Sequence, residues 1–383
     1  MKILHVITGL GVGGAQVALS QLVDGAISAG HNVRVISLSD DVAFADMFPS
    51  SVLTVLGGFS QGFLSAARMT IALRRIIRDE KPDIVQTWLY HSDIIGTIAS
   101  LFSKANPMLI WSLRCSDLLT RTKRIDYRVL RFVLPLLSKR ADAIVANAAK
   151  SISDHERLGY RPKRWFHIDN AIDAGHFKPD SSKNIDVRSA LGLTHDVSII
   201  AHAARFDIAK GHDVFCQALG IYFSDHPSAE KAHVLMCGPG VTRDNPTFAA
   251  LLGSLPVSHV HCLGMRRDLD AIFAAANIAV SSARCGEGFP TMIAEAMAVG
   301  VVPIATDVGD SARIVENIGF TVPPDDVSGL AAVICEALMM DQEDRVKRGT
   351  AARERICEDF TKQVMVGRYF DLYRELLKNQ CVG

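Results

Sequence analysis

Two doubly wound parallel-sheet α/β (Rossmann-like) domains are predicted by three observations. Short β-branched runs alternate with helical-period stretches from end to end, the runs are continuously apolar, and a polar Pro/Ser segment divides the chain near residues 170–185. Unbroken hydrophobicity marks strands covered on both faces, as in parallel sheets. In the first half the predicted strands are Ile3–Thr8, Asn32–Leu38, Val52–Leu56, Ile84–Thr87, Met108–Leu113, Ala143–Ala146 and Trp165–Ile168. In the second half they are Val197–Ala203, His233–Cys237, Val260–Leu263, Ile278–Ser281, Val301–Ala305 and Phe320–Val322. The divider reads Asn170-Ala-Ile-Asp173, then Phe177-Lys-Pro179-Asp-Ser-Ser, turn-forming residues after a strand. A last helix is expected over about Lys362–Asn379, with Val364, Met365, Tyr369, Leu372, Leu376 and Leu377 as its apolar positions.

At 383 residues, 49% hydrophobic and 21% charged, the chain has enough apolar surface for two cores, and disorder is not indicated. Its net charge of zero hides an asymmetry: residues 1–180 hold 22 Lys+Arg against 16 Asp+Glu, and the remainder 19 against 25. A basic half and an acidic half predict different partners for the two domains, with no nucleic acid among them. The eight cysteines are scattered without a Cys-x-x-Cys pair, which predicts reduced thiols in a cytoplasmic protein instead of disulfides or zinc. The stretch after Lys2 is broken by Gly9, Gly11, Gly13 and Gly14 and reads as strand, turn and helix Ala15–Ala29, not as a signal peptide. Glu295 and two prolines interrupt the longest apolar run, Phe289–Ala305, so no transmembrane helix is expected.

The most informative segment is the acidic Gly/Pro loop Cys285-Gly-Glu287-Gly288-Phe289-Pro290-Thr291, which opens into a helix. A helix N-terminus offers free N–H groups and a positive dipole end, which suits a diphosphate. With Phe289–Met292 as the first turn, Glu295 lies one turn inside and Glu287 stays on the loop. Eight residues of helix span about 12 Å, wider than the roughly 5–9.5 Å of a hydrolase acid/base pair, so the two glutamates are expected to hold different parts of one ligand.

Other constellations follow strand ends. Arg205 and Lys210 place two cations just past Val197–Ala203, where such sheets bind ligands. Cys237-Gly238-Pro239-Gly240 is a tight loop at the same edge. Gly9-x-Gly11-x-x-Gly14, with Asp40 closing the next strand, also fits a dinucleotide fingerprint, which keeps a nicotinamide-dependent oxidoreductase open as the alternative. His91, after Ile84–Thr87, reads either as an active-site histidine or as a cap on the following helix. Asp268-Leu-Asp270 reads as a helix start and no metal site is expected. The basic-apolar stretches Arg121–Arg140 and Arg68–Arg78 suit either an anionic membrane surface or a core-facing helix with a solvated rim.

The glycine turn at Gly13-Gly14-Ala15, the Asn170 segment, the Arg205…Lys210-Gly211 pair, the Gly238-Pro239-Gly240 loop and Glu287-x7-Glu295 occur in the order that resembles the family 4 retaining glycosyltransferases. The resemblance covers nearly the whole chain. It implies the GT-B architecture, two Rossmann-like domains facing across a cleft: an acceptor-binding domain 1–175, a nucleotide-sugar-binding domain 176–362, and a helix 363–383 returning to the first domain. It further implies catalytic Arg205, Lys210, Glu287 and His91, with donor binding by Gly13, Gly14, Gly238, Gly240, Gly288, Phe289, Pro290, Thr291 and Glu295. The implied activity moves a hexose-type sugar from a nucleotide-diphospho-sugar to a glycan or polyprenyl-linked acceptor with no metal and no other cofactor. It belongs to polysaccharide synthesis at the inner face of the cytoplasmic membrane. The chain departs from the family at Gln16, where glutamate is usual, at Ala171 for glycine, and at Gln86 and Trp88 for two histidines. A sugar-nucleotide epimerase and a non-catalytic binding subunit share this architecture and stay open at this point.

Overall fold

The computed structural model describes residues 1–11, 13–59, 63–114, 125–226, 231–253 and 255–380. They form two compact units, one of Met1–Ala171 with Lys362–Gly383 and one of Ile172–Thr361.

In the first unit β1 (Lys2–Ile7), α1 (Gly14–Ser28), β2 (Asn32–Ser37), β3 (Leu53–Val55), α2 (Phe63–Glu80), β4 (Ile84–Trp88), α3 (Tyr90–Leu101), β5 (Met108–Leu113), α4 (Ile125–Ser138), β6 (Ala143–Ala146), α5 (Ala149–Arg157) and β7 (Trp165–His167) follow in order. The strands make one sheet in the order β3-β2-β1-β4-β5-β6-β7, and every pairing is parallel. The pleat explains the unbroken hydrophobicity of β1: Ile3 and Ile7 face one core layer, Leu4 and Val6 the other.

The second unit contains α6 (Ser181–Ala190), β8 (Ser198–Ala203), α7 (His212–Asp225), β9 (Ala232–Cys237), α8 (Pro246–Leu252), β10 (Val260–Cys262), α9 (Leu269–Ala275), β11 (Ile278–Ser281), α10 (Thr291–Ala298), β12 (Val302–Thr306), α11 (Ser311–Val315), β13 (Phe320–Val322), α12 (Val327–Met339) and α13 (Gln342–Asp359). Its parallel sheet runs β10-β9-β8-β11-β12-β13. The order reverses between β8 and β11, and such a switch point opens a crevice at the strands' carboxyl ends.

The final helix α14 (Lys362–Gln380) belongs to the first unit, where Met365, Tyr369, Leu372, Tyr373 and Leu376 are buried in the β1–β4 core layer. It crosses α1 closely at Gly25, where a β-carbon would come 2.7 Å from both methyls of Val366. The Arg121–Arg124 part of the basic stretch, with Cys115 and Cys381, lies outside the described residues. Within α4, Leu130 and Leu134 are buried while Phe132 and Leu136 are exposed beside the exposed Arg131, Lys139 and Arg140. Among the described residues no helix is long and apolar enough to cross a membrane.

Candidate functional site

Because all strands of the second unit run one way, the loops after β8, β9, β11 and β12 emerge at one edge. Close backbone contacts knit them together. Gly211, at φ +61°, leaves no room for a side chain: a β-carbon would lie 2.0 Å from the Ser282 carbonyl oxygen. Ser282 Oγ donates to the Lys210 carbonyl (3.0 Å), and the Arg284 amide donates to that of Ala209 (2.8 Å). With its single proton spent on Lys210, Ser282 Oγ accepts from Nε2 of His202 (3.2 Å). His202 is fully buried and its ring stacks on Phe215 at 4.6 Å; burial holds its pKa well below the usual histidine range. A neutral imidazole thus braces the lysine loop from below.

Lys210 Nζ reaches the Glu287 carboxylate, joining the cation expected from the β8 loop to the acid expected from the β11 loop. Arg205 is more than half exposed, with Nε 3.6 Å from Asp207. Arg284, absent from the sequence expectations, binds Asp213 through two bonds of 2.6 Å and Asp325 through one of 2.5 Å, fastening the β11 loop to α7. The Gly238–Gly240 turn packs equally tightly. At φ +145°, Gly238 has the Ala204 oxygen 2.0 Å from where a β-carbon would lie, and its amide donates to Gly264 (2.7 Å).

The helix after the acidic loop begins at Thr291, two residues later than expected. Phe289 is not in its first turn: the ring is buried in the core, 5.6 Å from Phe360, so Phe289 offers a ligand only backbone. Pro290 precedes the helix and has no N–H to give. The Thr291 amide is taken by the Phe289 carbonyl (2.9 Å) and that of Ala294 by Pro290 (3.1 Å). Among the described residues, the amides of Met292 and Ile293 have no partner, leaving two donors at the positive helix end beside Gly288. Among the described residues the carboxyl of Glu295, one turn in, makes no hydrogen bond or ion pair, and burial pushes it up to about 8. Asp268 and Asp270 start α9, as expected, and point to different cations, Arg266 and Lys183.

In the first unit, the glycine turn is filled by its own chain. A β-carbon on Gly9 would meet Ser39 Oγ at 2.4 Å, and one on Gly11 would meet an Asp41 oxygen at 2.3 Å. Asp40, the candidate ribose acid, instead accepts from the Gly58 amide (2.8 Å). These contacts put an acid over Gly11, where a dinucleotide would need its pyrophosphate. Gln16, buried at the start of α1, donates from Nε2 to the Gly9 carbonyl (2.9 Å) and lies against the extended Gly13; Gly14 is exposed with open space around it.

His91 is the second residue of α3, inside the first turn and not at the cap, with its ring 5.5 Å edge-on to Phe59. The turn is built by Leu89, whose φ of +75° is unusual for a branched residue. Ser92 Oγ supports it by donating to the Leu89 carbonyl (2.7 Å). Gln86 and Trp88 are fully buried: Gln86 Nε2 donates to Ser112 Oγ (2.6 Å), and Trp88 Nε1 to His5 Nδ1 (3.3 Å). Arg114, which the sequence did not single out, lies 4.5 Å over the Trp88 ring and donates to Asn170 (2.5 Å) and to the Tyr369 hydroxyl (2.6 Å).

Two parallel doubly wound units, the second with a cation-and-amide cluster at its switch point, define the GT-B class of glycosyltransferases. Residues 12–176 match the family described as Glycosyltransferase Family 4, and residues 197–340 the one described as Glycosyl transferases group 1. The chain belongs to the family 4 glycosyltransferases. It is 22% identical over 317 residues to UDP-Gal:alpha-D-GlcNAc-diphosphoundecaprenol alpha-1,3-galactosyltransferase of Escherichia coli, covering 81% of this chain and 80% of that one. N-acetyl-alpha-D-glucosaminyl L-malate synthase of Bacillus anthracis is 24% identical over 252 residues, 64% of this chain; the match spans 62% of that enzyme, under two thirds of its length. The fold matches Anabaena HepE, crystallised with UDP, with a TM-score of 0.81 at 20% identity over 98% of this chain and 100% of the other.

Proposed function

We propose that the chain is a retaining, metal-independent hexosyltransferase that moves a hexose-type sugar from a nucleotide-diphospho-sugar to a glycan or polyprenyl-linked acceptor in cell-surface polysaccharide synthesis. The carrying observation is the gathering at one carboxyl edge of Lys210, two open helix amides and a Glu295 carboxyl with no partner among the described residues. In this reading the diphosphate lies between Lys210, Arg205 and the amides of Met292 and Ile293. Each charge-assisted hydrogen bond contributes about 1.5–3 kcal/mol, enough together to stabilise the leaving group without a divalent ion. Glu295 accepts from the nucleotide ribose. Glu287, already engaged by Lys210, positions the sugar and is not free to attack it. The bond from the anomeric carbon to the phosphate oxygen breaks, the acceptor oxygen bonds on the same face, and its proton passes to the departing phosphate. The Gly238–Gly240 turn walls the nucleotide. The name of the Escherichia coli relative, which acts on a diphosphoundecaprenol-linked sugar, supports a lipid-linked acceptor. The exposed pair Phe132 and Leu136 amid Arg131, Lys139 and Arg140 suits peripheral contact with an anionic membrane at its cytoplasmic face.

Incubating the protein with UDP-, GDP- and ADP-sugars in the presence of chelator, beside an NADH titration, tests this reading. Slow release of free sugar from one donor, with no NADH binding, is expected. Release of a rearranged nucleotide sugar would establish an epimerase, and binding without any turnover would establish a non-catalytic subunit.

A further inference from the structure

At the opposite end of α7 from Lys210, three sulfur and nitrogen donors converge. Cys335 Sγ lies 3.3 Å from Nδ1 of His226 and 3.5 Å from Sδ of Met339. Cys335 and Met339 are four residues apart on α12 and so share a face, while His226 is the C-cap of α7, its ring stacked on Tyr222 at 5.6 Å. The cluster floors a groove of about 610 Å³, rimmed by Glu336, Asp344 and Arg348, and Met339 is 70% exposed there. The fourteen residues of α7 put about 20 Å between this cluster and the lysine loop. It therefore takes no part in sugar transfer.

The geometry points to a binding site for a soft monovalent metal ion, Cu(I), held by the Cys335 thiolate, the Met339 thioether and His226 Nδ1. The two separations from Cys335 Sγ are close to those of ligands already sharing one ion. Thiolate with thioether selects Cu(I), whereas zinc sites use thiolate, imidazole and carboxylate. On binding, the Cys335 proton leaves to solvent, a copper–sulfur bond forms and copper stays monovalent, so no oxidant or reductant is consumed.

The test uses the full chain under anaerobic conditions, with Cu(I) supplied as its bicinchoninate complex. Wild type is expected to withdraw about one equivalent, and Cys335→Ala and Met339→Ala to weaken uptake roughly tenfold or more each. Met339 is exposed, so its replacement leaves the fold intact, and a melting curve checks the cysteine variant. Copper-edge X-ray absorption on the loaded protein should show two sulfurs and one nitrogen. Equal uptake by wild type and both variants, or a first shell with fewer than two sulfurs, overturns the assignment.

Discussion

Gly309 lies against the backbone of Glu287 and Gly288 so closely that a β-carbon on it would come 2.5 and 2.4 Å from their carbonyl oxygens. Its φ of +63° is left-handed, and the next amide, of Asp310, donates to Gly288 (3.0 Å). The turn after β12 thereby fixes the loop that carries Glu287. Gly309→Ala should cost about 1–2 kcal/mol from the backbone alone, and the clash adds to it. We expect a melting temperature lower by about 5 °C and a fall in turnover larger than the fall in nucleotide affinity. Unchanged melting and unchanged turnover would show that the loop does not depend on this packing.

Lys210→Ala removes the proposed phosphate cation and also breaks the ion pair to Glu287. Turnover should fall about 10²–10³-fold, the scale for losing one donor to a developing charge. Arg205→Ala, from a more exposed position, should act in the same direction with a smaller loss. Steady-state rates with the donor found by the screen decide it: near-normal rates in both variants would remove the charge-neutralisation mechanism.

The strands were legible because their burial is local information. Every expected strand lies within one residue of the observed one at each end, from Lys2–Ile7 to Phe320–Val322, since a strand covered on both faces writes an unbroken apolar run. The start of α10 was misplaced by two residues because Phe289 looks helical by hydrophobicity, while its ring belongs to the core against Phe360. Arg114 and Gly309 carried no signal at all. Arg114 takes its role from Tyr369, 255 positions away, and Gly309 from a carbonyl in another loop. Leu89 is the reverse case: its left-handed backbone would have pointed to glycine, and the structure supports a leucine there through Ser92.

Gln16 makes a test of the first unit. Its amide donates to the Gly9 carbonyl from a buried position, a bond that an ionised glutamate cannot make. Gln16→Glu should therefore destabilise the chain by about 1–3 kcal/mol near neutral pH, through the lost bond and the buried charge set against a carbonyl. Gln16→Met, which removes the polar group with little change in volume, should cost less. Denaturant unfolding of the three proteins compares them; a neutral Gln16→Glu would mean the turn is held by Ser39 and Asp41 packing alone.

Glu295 gives a pH signature. Its folded-state pKa of about 8 stands above the ordinary 4.5, so the free protein keeps this carboxyl protonated at pH 7 while the unfolded chain does not. The folded state then binds more protons between the two values, and its stability from this group is full below pH 4.5, falls as pH rises towards 8, and stays lost above it. Glu295→Gln should flatten that slope and melt higher than wild type at pH 9. A ribose that donates two hydroxyls favours the ionised carboxylate, so nucleotide binding at pH 7 should expel close to one proton. Calorimetry of UDP or GDP in buffers of different ionisation enthalpy measures this number directly. Proton release that persists undiminished in Glu295→Gln would move the ribose contact to another residue.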